Sequence, residues 1–194
     1  MKATSSRGLR AGVLAAGITG AFALLIAGGA PAEEGTNRGV TPTVTMEMDG
    51  NKPVFDGPSS VVRGTLLRVS NETDPQQIGP HFFTIARKKR IPDSREEFNR
   101  CFQGEIRMCN RIFKEHEVDF ANEVVGKQLV DSGKEGWSTA FSNRQNGDSW
   151  FTETLDEDVT QTVSGRAGKT FHYFCMFHPS MRGKLNVEPR TPVE

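Results

Sequence analysis

Thr43-Val44-Thr45-Met46-Glu47-Met48 alternates polar and apolar side chains with period two, which puts the apolar ones on one face of an extended chain. Parts of Val61 to Ser70 do the same around a turn-like Arg63-Gly64, and His81-Phe82-Phe83-Thr84-Ile85 reads as a third strand. Strand patterning then stops. From Arg87 to about Ser149 the chain is charged and irregular, beginning with the basic run Arg87-Lys88-Lys89-Arg90. Strand signals return at Trp150 to Leu155, Val159 to Val163, Lys169 to Cys175 and Lys184 to Val187, with Ser164-Gly165-Arg166-Ala167-Gly168 as a turn. Strands therefore flank one long insertion, residues 87–149.

Within the insertion, Ser94-Arg95-Glu96-Glu97 has capping-box form and predicts a helix through about Phe102. Cys101 and Cys109 read as a disulfide that stabilises the insertion, with reactive or metal-binding thiols as the alternative. An unbroken helix between them would hold the two residues about 12 Å apart, beyond the roughly 7 Å Cα limit for a bridge. A disulfide requires a turn, and Gly104 is placed to supply it.

The first 32 residues differ from the rest. Lys2, Arg7 and Arg10 precede an almost uninterrupted run of apolar and small residues from Ala11 to Gly29, and Ala30-Pro31-Ala32 suits signal-peptidase cleavage. Residues 1–32 read as a secretory signal. The alternative is an uncleaved membrane anchor, the one route to membrane association that the sequence offers. Both place the folded part outside the cytoplasm: periplasmic, cell-surface or secreted. Residues 33–41 read as a flexible tether, 42–189 as one domain and 190–194 as a tail, since 194 residues suit a single core once the leader is removed. The chain holds 24 basic and 24 acidic residues, and without residues 1–32 its net charge is −3, so nothing points to nucleic acid.

Three cysteines in an exported chain leave one thiol over after any disulfide. That thiol, Cys175, lies in Phe171-His172-Tyr173-Phe174-Cys175-Met176-Phe177-His178-Pro179-Ser180-Met181-Arg182-Gly183-Lys184, which contains Cys-x2-His-x2-Met. A soft thiolate, two imidazoles and a weak axial thioether suit a trigonal copper site. Cys175, His178 and Met181 supply three of these from one tight loop, and His81, at a strand start after Gly79-Pro80, supplies the second imidazole. The spacing also places Phe171, Tyr173 and Cys175 on one strand face, read as the core side, and His172 and Phe174 on the other.

These residues resemble the cupredoxin family, with its early histidine at a strand start and late Cys…His…Met loop. The short loop followed by Arg182-Gly183-Lys184 is especially similar to amicyanin. The resemblance covers about residues 42–86 and 150–189. It implies an all-β Greek-key β-sandwich, interrupted by the partly helical insertion between the first copper histidine and the copper loop, that binds one copper ion and passes single electrons between redox partner proteins. A monomer is expected, and an enzyme is not. By the same resemblance, electrons pass through an exposed edge of His178, with Met176, Phe177 and Pro179 as an apolar docking patch. Two positions depart from the family pattern. Phe82 stands where many relatives have Asn, and Met176 follows the cysteine where relatives often have a small or polar residue, so the surroundings that tune the metal differ.

Other features carry blander expectations. His172 and His116 read as solvated, the latter within Lys114-Glu115-His116-Glu117. The Arg87–Arg90 run reads as a solvated surface, with steering of an acidic redox partner as the alternative. Asn71-Glu72-Thr73 fits the glycosylation sequon. Rival functions are copper storage or delivery, and a non-catalytic interaction module on the same sandwich. A multicopper oxidase is disfavoured because Phe174 and Met176, not histidine, flank the cysteine.

Overall fold

The structure, a computed structural model, describes residues 40–190 apart from 120, 123, 133–134 and 139–146. The expected signal segment 1–32, most of the tether and residues 191–194 lie outside the described residues. No helix among the described residues is long and apolar enough to cross a membrane.

The alternation over 43–48 becomes strand β1 (Thr43–Asp49), which buries Val44 and Met46 completely and leaves Thr43, Thr45 and Glu47 partly covered. Two residues later the chain returns as β2 (Lys52–Asp56), antiparallel to β1, around a turn at Gly50, whose φ of 60° favours glycine. Pro53 disguises β2 in the sequence, because proline cannot donate to a ladder. It is tolerated here because β2 is an edge strand. The segment around Arg63-Gly64 splits as expected into β3 (Ser60–Val62) and β4 (Leu66–Asn71). A single turn of helix, α1 (Pro75–Ile78), capped by the Asp74 carboxylate, leads into β5 (His81–Ala86). Beyond the insertion come β9 (Ser149–Thr152), β10 (Asp158–Thr162), β11 (Thr170–Phe174) and β12 (Arg182–Glu188).

The strands form a four-stranded sheet, β10-β4-β1-β2, and a six-stranded sheet, β3-β12-β11-β5-β9, completed at its edge by β8 (Leu129–Val130). Both are mixed: β1 runs parallel to β4 and β3 parallel to β12, and the other pairs are antiparallel. The sheets meet through aromatic rings. Phe55 of β2 sits edge-on to Phe83 and Tyr173 at centroid distances of 5.8 and 5.2 Å, and Trp137 meets Phe83 at 5.1 Å. Trp137, near the end of the inserted region, is completely buried and donates its indole N–H to the carbonyl of Leu67 (3.1 Å), so the sandwich core takes in part of that region.

The rest of the insertion is more regular than its charge suggests. After a 3-10 turn (Lys88–Arg90), helix α2 (Arg95–Phe102) starts at Ser94, whose hydroxyl accepts from the Glu97 amide (3.2 Å). The Glu97 carboxylate accepts from the amide of Asp93 rather than closing on Ser94 itself. Gly104, at φ 71°, turns the chain into a second helix, α3 (Arg107–Glu115), and Cys101 and Cys109 are disulfide-bonded across that turn with Cα atoms 5.2 Å apart. A small hairpin follows, β6 (Val118–Asp119) with β7 (Val124–Val125).

The insertion covers the outer face of the six-stranded sheet. Every residue of β5 is buried: Phe83 packs toward the other sheet, while Phe82 meets Phe113 and His116 of the insertion at 6.2 and 5.0 Å. Phe174, on the strand face opposite the sandwich core, is completely buried and lies 6.5 Å from Phe98 of α2.

Candidate metal centre

Cys175 follows the last residue of β11 on the same face as Phe171 and Tyr173, and all three are buried. Its amide donates to the carbonyl of Met181 (3.0 Å), and the Met181 amide donates to the carbonyl of His178 (3.0 Å), so the loop is closed by its own backbone. His81 opens β5, which pairs with β11, at the same end of the sheet. The strand pairing and the tight loop thus bring His81, Cys175 and His178 together, with Sγ and the ring nitrogens within 4.8 Å of one another. The two imidazole centroids are 4.7 Å apart. Met181 is completely buried.

Hydrogen bonds aim these side chains. His178 places Nε2 2.8 Å from the carbonyl of Ile78, which can only accept, so Nε2 carries the proton and Nδ1 presents a lone pair 3.5 Å from the Cys175 sulfur. His81 uses Nε2 on the Thr73 hydroxyl (2.7 Å), while its Nδ1 is buried without a partner among the described residues. The amide of Phe82, one residue beyond His81, donates to Cys175 Sγ (3.3 Å). A buried nitrogen without a partner is costly. Here it belongs to the cluster of a soft sulfur and two imidazoles, and these residues fit one copper ion.

Burial keeps the site neutral. It holds His81 down to about 3, helped by the neighbouring His178, and lowers His178 against the opposing effect of the Ile78 carbonyl. It pushes the Cys175 thiol up to about 11, although the amides of Phe82, Phe177 and His178 favour the thiolate. Metal uptake therefore has to displace the thiol proton.

Several expectations need correction. His116 is not solvated: it is completely buried at the C-terminus of α3, bonds the Lys127 carbonyl through Nδ1 (2.5 Å) and faces the Phe82 ring. Its charged neighbours in sequence concealed this. His172 is half-buried, its pKa lowered by burial and by Lys88 and Lys184. Met176 is buried and cannot belong to a docking patch, whereas Pro179 is exposed and Phe177 half-buried. The Nε2 edge of His178 is engaged by the main chain of α1 instead of lying open. Asn71 is completely buried with both ends of its amide hydrogen-bonded, so the sequon is not presented at the surface. Sequence reasoning missed Asn71 and Thr73 as neighbours of the site, because the sequon offered a competing account of the same residues.

No protein-family model matches the chain, and no curated protein matches it in sequence. Among solved structures it is similar to auracyanin A, a "blue" copper protein of the green thermophilic photosynthetic bacterium Chloroflexus aurantiacus, with 18% identity over 77% of this chain and 98% of that one and a TM-score of 0.40. It is also similar to the auracyanin of Roseiflexus castenholzii, with 15% identity over 78% of this chain and 100% of that one and a TM-score of 0.37. A multi-copper oxidase from Pediococcus acidilactici matches with 15% identity over 84% of this chain and 29% of that one and a TM-score of 0.37. The class rests on the chain's own two mixed sheets and its donor cluster, which make it a cupredoxin-type β-sandwich with a helical insertion. At one end of that sandwich, His81, Cys175 and His178 form a donor cluster that could hold one metal ion, and their donor types suit copper.

Proposed function

We propose that this chain is a type 1 copper protein that carries single electrons between redox partner proteins outside the cytoplasm. The observation that carries the reading is the convergence of Cys175 Sγ with two imidazoles whose remaining nitrogens are already engaged by the protein. Bound copper would supply the one-electron couple, held by His81, Cys175 and His178, with the buried Met181 as a further soft donor from the same loop. The role of this chain is to hold the donors in one arrangement, so little reorganisation accompanies electron transfer, and to keep substrate away from the buried site. Phe174 and Met176, both buried beside Cys175, leave no histidine there to bridge to further coppers. The disulfide, together with the apolar N-terminal segment of the sequence, supports export.

The entry face consists of Ile78, whose carbonyl holds His178, with the half-buried Phe177 and exposed Pro179. Next to it is a basic region suited to an acidic partner. Lys89, Arg90, Arg107 and Arg111 line a cleft of about 390 Å³ in which Glu97 is the sole acid, and none of the four forms an ion pair among the described residues. Arg182 ties this region to the copper loop, donating to the carbonyls of Pro179 (3.0 Å) and Pro92 (2.5 Å).

The deciding experiment is the visible spectrum of the Cu(II)-loaded mature protein beside Cys175→Ser and Met181→Leu. An intense orange-red band is expected, absent in Cys175→Ser. In Met181→Leu the band remains and the potential rises, because one electron-pair donor to the more charged state is lost. A colourless protein, or one that takes up copper but exchanges no electron with inorganic redox reagents, refutes the reading; the latter outcome favours storage or delivery.

A further inference from the structure

We infer that Thr73, held in place by Asn71, is the positioning residue that presents His81 to the metal. This rests on the copper reading above, and the argument is one of proton placement. Asn71 ends β4, where its backbone is fixed on both sides: its amide donates to the carbonyl of Glu157 (2.9 Å), and its carbonyl accepts from Asp156 (2.8 Å). Its side-chain Nδ2 donates to the carbonyl of Thr154 (2.9 Å), and its Oδ1 accepts from the backbone amide of Thr73 (3.1 Å). Rotating the Asn71 amide by half a turn would set N–H against N–H and oxygen against oxygen, so its orientation is determined. Oδ1 then also faces the Thr73 hydroxyl at 2.6 Å and, as a pure acceptor, takes its only proton.

The Thr73 oxygen is left with lone pairs alone toward His81 Nε2, 2.7 Å away. His81 must therefore donate from Nε2, and the neutral ring carries its free lone pair on Nδ1, the buried atom without a partner. Asn71, Thr73 and His81 are all at most 1% exposed, so water cannot easily reset the chain of bonds. The relay selects one of two imidazole tautomers and fixes the ring's rotation before any metal arrives, and such partners of a metal-bound histidine commonly contribute 10–100-fold in affinity. It anchors His81 to the sandwich and its β9–β10 connection rather than to the helical insertion.

The test begins with the copper-free protein, labelled with 15N on histidine. The His81 ring is expected as the Nε2–H tautomer in the wild type and in Thr73→Ser, which keeps the hydroxyl, and as a mixture in Thr73→Val. Cu(II) affinity, measured by competition with a chelator, should fall about 10–100-fold in Thr73→Val and stay at the wild-type level in Thr73→Ser, with the loaded valine variant also shifted in potential. A wild-type His81 protonated on Nδ1 overturns the inference without recourse to any variant. So does a Thr73→Val protein with unchanged tautomer and affinity, or a Thr73→Ser protein as weak as valine. A wild type with the expected tautomer that takes up no copper refutes the proposed function and leaves the relay standing.

Discussion

His116 shows how a single side chain can make this fold sensitive to acid. Burial holds its pKa down to about 4, while the unfolded chain titrates near 6.5. Between those values the unfolded state binds a proton that the folded state refuses, so the stability contribution is complete above about pH 6.5 and lost as pH falls toward 4. The full difference is worth at most roughly 3 kcal/mol. In His116→Gln, which can still donate to the Lys127 carbonyl, chemical denaturation of copper-free protein should show a shallower loss of stability from pH 6.5 to 4; an unchanged slope would exclude His116 as the source. Asp148, pushed up to about 7 by burial, slopes the other way but is common to both proteins. At this scale the legible part of the site was the part set by residue type and spacing. Cys175, His178 and His81 are uncommon residues at diagnostic intervals, and they meet as expected. What sets their protonation and aim was hidden, because Thr73, Asn71 and the Ile78 carbonyl are ordinary groups whose role exists only once β4, α1 and the copper loop converge.

Among the elements, the α2–α3 pair depends on its covalent link. Opening a loop of this size by Cys101→Ser with Cys109→Ser should lower stability by about 2–3 kcal/mol and leave the visible band in place, because the helices lie over the outer face of the sheet whereas the donors lie on the inner one. Equilibrium unfolding and absorbance on the same sample check both halves, and a shifted band would show that the helices shape the site. Strands β1 and β11, with clean alternation, and β5, an apolar run after Gly79-Pro80, were readable from the sequence. Strand β2 was concealed by Pro53, and α3 by Arg107, Arg111 and Lys114, whose charges mask the buried series Met108, Cys109, Ile112 and Phe113. Phe174 misled in the opposite direction: its strand face was expected to be the outer one, yet it is covered by a helix that strand periodicity cannot announce.

For the molecule as a whole, charge is unevenly placed: a chain with a net charge of −3 after its first 32 residues concentrates cations near the copper loop. Replacing Lys88, Lys89 and Arg90 together by Glu should slow electron exchange with an anionic reagent such as ferricyanide by about tenfold or more at low salt. It should speed exchange with a cationic cobalt complex, and both effects should fade with added salt. Equal rates in stopped-flow measurements would dismiss the basic region as a steering surface. The placement of Phe82 has a separate consequence. Its amide donates to the Cys175 sulfur while its ring is embedded among Phe113, His116 and Phe177. The insertion is therefore not a detachable ornament. A minimal version of this protein, with residues 87–128 exchanged for a short linker, would bare Phe82, Phe151 and Phe174 as one oily wall. It should self-associate on size-exclusion chromatography, because those rings would have lost their helical cover.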